Sequence, residues 1–233
     1  QVPASAVCNE AVRLAKKRGF QNLSGFVNGV LRTIARQMDQ VKLPEHPLSR
    51  RLSVQYSIPE WMVETWLSDY PEETVEKMLS FMMEEHPTCI RFDPEQITKE
   101  EIKARLKEDG VEKVEDHPVL PYALWISGYD YLGGLESFEE GLFYVQDASS
   151  MMAVESLPVK KGDSIIDVCA APGGKALHAA EKLAESGHVD ARDLTEYKVG
   201  LIEENIERSG LTNISARQQD ARVCDESSVE KAD

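Results

Sequence analysis

The apolar positions of the chain change period along its length, and each change predicts a different kind of structure. Ala6, Val7, Ala11, Leu14 and Ala15 recur at helical spacing, as do Phe26, Val27, Val30, Leu31 and Ile34. Residues 4–17 and 24–37 are therefore expected to form two amphipathic helices, the first closed by Gly19 and the second capped by Asn22 or Ser24. About 28 helical residues cannot bury both apolar faces against each other alone. Residues 1–38 thus read as the tail of a larger all-α domain. Residues 39–56, with Pro44 and Pro47, read as a linker.

Over residues 57–140 the period alternates between helix and strand. Helices are expected over Ile58–Tyr70 and Glu72–Glu84, with Pro59 and Pro71 near their first turns, where a missing N–H costs nothing. Cys89–Asp93 alternates as a strand does. Thr98 and Glu101 form a capping box for a helix running to Glu108 and closed by Gly110. Short strands follow at Val111–Val114 and Ala123–Ile126, and the mixture describes a small α+β domain.

From Lys161 onward strands and helices take turns: Ser164–Val168, Gly174–Ala184, His188–Arg192, Thr195–Arg208 and Asn213–Gln218. This βαβαβ succession is the first half of a Rossmann-like, doubly wound parallel sheet and places an α/β domain over residues 141–233.

Composition narrows the picture. The 233 residues are 42% hydrophobic and 29% charged, which suits folded protein. No apolar run reaches the ~20 residues that a membrane span requires. The start, Gln1-Val2-Pro3, has neither an initiator Met nor the basic-then-apolar design of a signal peptide, so the chain is expected to begin inside a longer protein. Cys8, Cys89, Cys169 and Cys224 form no CxxC pair, which argues against a metal site or a disulfide framework and points to the reducing cytoplasm. The net charge of −15 is unevenly spread. Residues 1–51 hold nine Lys/Arg against three Asp/Glu, while the remainder holds 17 basic and 38 acidic residues. A basic head on an acidic body is expected where one part touches nucleic acid, with Lys16, Lys17, Arg18, Arg32 and Arg36 as the candidate phosphate contacts. A solvated basic helix face would carry the same charges.

The segment Asp167-Val-Cys-Ala-Ala-Pro-Gly-Gly-Lys175 joins the first parallel strand to its helix, where a doubly wound sheet binds its ligand. Gly173 and Gly174 permit close backbone approach, and the helix start offers unpaired N–H groups to an anionic group. Asp193 closes the second strand, 19 positions after Gly174, where such folds hold a ribose diol, and Asp220 follows the third strand. The turn lacks the G-x-G-x-x-G of a nicotinamide enzyme.

D-V-C-A-A-P-G-G-K at 167–175 resembles the cofactor motif of the RNA 5-methylcytosine methyltransferases. V-Q-D-A-S-S-M at 145–151 and A-R-Q-Q-D-A-R at 216–222 are similar to two further motifs of that group. The N-terminal V-P-A-S-A-V-C-N-E-A-V-R-L-A-K-K and G-F-V-N-G-V-L-R resemble the last helices of a NusB-like RNA-binding domain. Together they point to the ribosomal RNA small-subunit methyltransferase B family, and the likeness covers nearly the whole chain. The resemblance implies that Cys169, Ala170, Ala171, Pro172, Gly173, Gly174 and Lys175 line an S-adenosylmethionine site, that Asp193 takes the ribose hydroxyls, and that Asp220 sits beside the adenine. It implies that the α+β domain is RRM-like, that 16S ribosomal RNA is the substrate, and that a monomer transfers a methyl group to cytosine C5.

That chemistry needs a cysteine thiolate to add to C6, because C5 is otherwise a poor nucleophile. Family members carry the required cysteines after Pro and after Thr on later strands. No cysteine here stands in such a place, since Thr88-Cys89 precedes the cofactor domain. The expectation is therefore a piece of the family enzyme, cut at both ends, with no catalytic residue and no activity of its own. The resemblance also makes Ser164–Val168 an interior strand of the whole sheet, so that in this chain it should present an open edge. Three other readings stand beside this one: a non-catalytic RNA-binding module, a cytosine-C5 methyltransferase of tRNA or another ribosomal RNA, and a nicotinamide- or nucleotide-binding Rossmann protein.

Overall fold

The computed structural model describes residues 3–40, 42–184 and 186–233, without the Asp39 side chain. The chain forms two compact units, 1–85 and 86–233. The first is helical: α1 (Ala4–Lys17), α2 (Ser24–Gln37), α3 (Leu48–Tyr56), α4 (Glu60–Asp69) and α5 (Glu72–Met83). Among the described residues of α1 and α2 only Cys8 is buried, and Phe26 is 71% exposed. The two faces remain as open as the sequence predicts. The core of this unit lies farther on, where Leu52, Val63, Val75 and Leu79 are fully buried against Trp66 and Leu67.

Helix α3 corrects one expectation. Of the linker expected over 39–56, the second half is a helix that buries Leu52 and Ser49. Pro47 sits at the helix start rather than in an extended spacer, and Leu48, Leu52 and Tyr56 share one face at i, i+4 spacing. Helices α4 and α5 share that core, so the helical part of the expected 57–140 domain lies within the first unit.

The second unit opens with β1 (Thr88–Arg91), α6 (Lys99–Glu108), β2 (Lys113–Asp116), β3 (Ala123–Ser127), α7 (Glu136–Glu139) and β4 (Tyr144–Val145). These strands form an antiparallel sheet in the order β2-β3-β1-β4. Its core holds Ile90, Phe92, Ile102, Leu106, Ile126 and Phe143. The Thr98 capping box is present in full. Strand β2 begins two residues later than the apolar pattern suggests, because Val111 is buried in the approach to it rather than in the ladder.

Helix α8 (Ala148–Glu155) leads to β5 (Ser164–Asp167), α9 (Gly174–Leu183), β6 (His188–Asp193), α10 (Glu196–Ser209) and β7 (Ile214–Gln218). The three strands are parallel in the order β5-β6-β7. Helices α9 and α10 bury Leu177, Ala180, Leu183 and Ile202 against Val189, Ala191 and Ile214. Strand β5 is the outer strand, as expected. Asp233 pairs with the backbone of Ser164, and Ile165 and Ile166 stay half-buried. Val168, expected to extend β5, lies beyond it and is exposed. No helix among the described residues is long and apolar enough to cross a membrane.

Candidate cofactor site

The parallel strands end at one edge of their sheet, and the 167–175 turn is fastened there by specific bonds. The Asp167 carboxylate accepts from the Cys169 N–H at 3.1 Å, which turns the chain sharply out of β5. The Ala170 N–H donates to the Arg192 carbonyl at 2.9 Å and the Ala171 N–H to the Asp193 carboxylate at 3.0 Å, so the turn is tied to the end of β6. From α10, the Asn205 amide donates to the Pro172 carbonyl at 2.9 Å. Gly173 then takes φ +113°, a conformation open to glycine and strained for any side chain, and begins α9. The first intrahelical bond runs from Leu177 N–H to Gly173 C=O at 2.8 Å. The N–H groups of Gly174, Lys175 and Ala176 precede it and are left for whatever binds at the helix start.

The expected site residues are not equally accessible. Cys169, Pro172 and Lys175 are exposed, Ala171 and Gly174 half-buried, and Ala170 and Gly173 buried. Asp193 is only 4% exposed. Its carboxylate accepts from the Leu194 N–H at 2.7 Å and the Ala171 N–H, and meets the Lys198 ammonium at 3.0 Å. Burial alone would raise its pKa, but Lys198 and these two amides hold it below the usual carboxylate range. A carboxylate has room for about four donors, and three reach this one among the described residues. The Asp193 carbonyl also receives the Gln219 N–H at 2.9 Å, which draws the end of β7 toward the same edge. Asp220 follows, half-buried, its carboxylate held by the Arg222 guanidinium at 2.7 Å. The turn and both carboxylates thus stand at the same end of the sheet.

Sequence reasoning missed three neighbours. Asn205 and Lys198, on α10, read as ordinary polar positions of an amphipathic helix. Gln146 lies in the V-Q-D-A-S-S-M segment, where nothing in the spacing singles it out; it is 5% exposed, and its side chain packs where a Cβ on Gly174 would meet it at 3.7 Å.

Of the cysteines, Cys8 is buried, and burial pushes the half-buried Cys89 thiol above its ordinary pKa, which disfavours the thiolate. Cys169 belongs to the turn, and Cys224 is exposed. The five candidate RNA contacts are all exposed, but they do not form one patch. Arg32 and Arg36 flank a cleft of about 270 Å³ beside Ala4, Ser5 and Cys8. Lys16, Lys17 and Arg18 stand at the other end of α1, roughly 18 Å away at 1.5 Å per helical residue.

Three family models match the chain. The 16S rRNA methyltransferase RsmB/F model covers residues 154–233, the RsmF/B-like ferredoxin-like domain residues 58–129, and the NusB family residues 1–36. The probable ribosomal RNA small subunit methyltransferase B of Bacillus subtilis (strain 168) is 34% identical over 97% of this chain and 50% of its own length. The protein of the same description from Synechocystis sp. is 33% identical over 94% of this chain and 49% of its own length. The chain spans about half the length of the curated relatives it matches. Among solved structures, the crystal structure of PH0851 shares the fold with a TM-score of 0.79 at 24% identity, covering 94% of this chain and 48% of that one. NSun6 from Pyrococcus horikoshii, solved with SFG, gives a TM-score of 0.62 at 22% identity over 68% of this chain and 65% of that one.

Proposed function

The chain belongs to the 16S rRNA methyltransferase RsmB/F family, and on that premise we propose that its 167–175 turn holds S-adenosylmethionine for methylation of cytosine C5 in 16S ribosomal RNA. The observation that carries this reading is the fastening of one glycine turn and two carboxylates at a single end of the parallel sheet. The residues fit the cofactor. The helix start at Gly174–Ala176 suits the methionine carboxylate, and the Asp193 carboxylate suits a ribose hydroxyl. Asp220, at the end of β7, would be the acceptor for an adenine amino group. Cys169, Ala170, Ala171, Pro172, Gly173 and Lys175 complete the wall. When bound, the cofactor supplies an electrophilic methyl group.

The chemistry at the base requires a thiolate to add to C6, making C5 nucleophilic, and a base to take the C5 proton before the thiolate leaves. None of this chain's four cysteines suits that role. The 233 residues bind cofactor without turning over, and the nucleophile comes from outside them. Lys16, Lys17, Arg18, Arg32 and Arg36 contribute phosphate contacts on the NusB-like helices, and the protein works as a cytoplasmic monomer. A nicotinamide-binding reading leaves the turn without its usual glycine spacing. A pure RNA-binding reading leaves Asp193 and Gly173 without a role.

Incubation of ribosomal RNA with S-adenosylmethionine labelled on the methyl group tests the assignment. The 233-residue chain is expected to leave the RNA unlabelled, while a full-length relative places label on cytosine C5. Label deposited at C5 by the chain alone contradicts the cysteine assignment.

A further inference from the structure

Behind the cofactor turn lies a buried polar chain that the proposed function does not use. Arg91, on β1 of the antiparallel sheet, is 1% exposed. Its Nε donates to the Gln146 side-chain oxygen at 2.7 Å, its Nη1 pairs with Glu181 on α9, and its guanidinium lies 4.7 Å from the centre of the Tyr144 ring. Glu181 is nearly as buried, its side chain 7% exposed. Gln146 completes the chain: its side chain lies beside Gly174, the first residue of α9, 3.7 Å from where a Cβ on that glycine would stand. One arginine therefore reaches both ends of the helix that begins the cofactor site: through Gln146, which lies beside its first residue, and directly at Glu181, two turns later.

A buried ion pair of this kind contributes little net stability, because desolvating two charges offsets their attraction. Its value lies in fixed geometry. Gln146 cannot turn its amide over without losing the Arg91 bond, which leaves its Nε2–H₂ group as a buried donor with no partner among the described residues. Arg91 Nη2 and Glu181 Oε1 are likewise buried without partners. The Arg91 bond fixes one orientation of the Gln146 amide beside Gly174.

We propose that Arg91 is a positioning residue for the cofactor turn. It locks Gln146 against Gly174 and anchors α9 through Glu181, so that the start of α9 is set by the antiparallel sheet and cofactor affinity depends on a residue that does not itself border the turn. This inference rests on the cofactor reading above, and its test separates the two.

The test measures S-adenosylmethionine affinity by calorimetry, melting temperature, and amide hydrogen exchange over residues 170–177. Three proteins are compared with the parent. Arg91→Met with Glu181→Met removes both charges together and keeps apolar volume. Gln146→Leu leaves the ion pair intact, so it remains informative if the double variant does not fold. Arg91→Lys retains the charge but offers only a point donor in place of a planar fork. The double variant is expected to melt close to the parent and Gln146→Leu below it, because the buried Arg91 Nε–H loses its acceptor. Both should bind cofactor about tenfold more weakly and exchange faster over 170–177. Arg91→Lys should fall between them and the parent. Folded variants with parental affinity and parental exchange would overturn the proposal while leaving the cofactor reading in place. A parent that binds no S-adenosylmethionine would overturn the cofactor reading, and the exchange comparison would still decide whether Arg91 sets the turn.

Discussion

The 167–175 turn and the α1–α2 hairpin both carry candidate binding residues, yet they are built in opposite ways. Three consecutive residues of the turn are hydrogen-bonded to partners distant in sequence: Ala170 to Arg192, Ala171 to Asp193 and Pro172 to Asn205. In the hairpin, Arg32 is bonded to Asn28 and Arg36 to the Arg32 carbonyl, both within their own helix. A site that must hold one small molecule in one pose needs pre-set geometry. A surface that meets a phosphate backbone needs charge and reach, and tolerates loose side chains.

The comparison predicts that the turn fails sharply and the hairpin gradually. The largest effect is expected at Gly173. At φ +113° an added side chain strains the backbone by roughly 1–3 kcal/mol, so Gly173→Ala should lower the melting temperature and abolish cofactor binding together. Gly174→Ala separates the two effects. Its Cβ would meet Gln146 at 3.7 Å, an ordinary contact, so it should fold as the parent does, and Gly174→Val should lose binding with little loss of stability. Equal melting temperatures for Gly173→Ala and the parent would contradict the strained-turn account.

Asp193 comes next. Replacing it with Ala leaves the Ala171 and Leu194 amides and Lys198 without their acceptor. Cofactor affinity should fall by roughly 1–3 kcal/mol, as for the loss of a charged acceptor, which calorimetry reads directly. Asn at this position keeps one acceptor oxygen and should lose less.

For the hairpin, Lys16, Lys17 and Arg18 reversed to Glu, and Arg32 and Arg36 reversed to Glu, should each weaken ribosomal RNA binding and flatten its salt dependence, while cofactor affinity stays at the parental value. The slope of log affinity against log salt should shrink by about 0.7–0.9 for every phosphate that is no longer neutralised. Because the two groups lie at opposite ends of α1, their effects should add. Unchanged binding at low salt in both variants would make the basic head a solvated face.

The smallest effect concerns pH. His178, on α9 beside Tyr122 and Glu155, has its ring pushed down to about 3, by burial first and by the Arg91 charge second. A depressed value means that the stability tied to the neutral ring is intact above its ordinary 6.5 and is lost as pH falls toward 3. Glu181 works in the other direction. Burial pushes its carboxyl up, while the Arg91 guanidinium paired with it pulls the other way. Melting curves of the parent and His178→Gln should therefore run parallel above 6.5 and separate below it, the parent losing stability faster. Parallel curves down to pH 4 would show that His178 is not held neutral by its surroundings.

Periodicity made most of this legible. The two N-terminal helices, the Thr98 capping box and the βαβαβ succession all follow from apolar spacing and cap residues, because local geometry dictates them. The site was legible to the extent that it lies on one continuous turn. Arg91 was not, because a charged residue at the end of a short alternating strand reads as surface until Glu181, 90 positions later, is seen to face it. Helix α3 escaped for a local reason: two prolines in four residues resemble a spacer, and only burial of Leu52 shows that Pro47 starts a helix.

The central claim is that the 167–175 turn holds S-adenosylmethionine, and a calorimetric titration of the 233-residue chain tests it most directly. The account predicts saturable, one-to-one binding of S-adenosylmethionine, weakened in Asp193→Ala, and no heat of binding with NAD. Saturable binding of NAD, or S-adenosylmethionine binding that survives both Gly174→Val and Asp193→Ala unchanged, would contradict it.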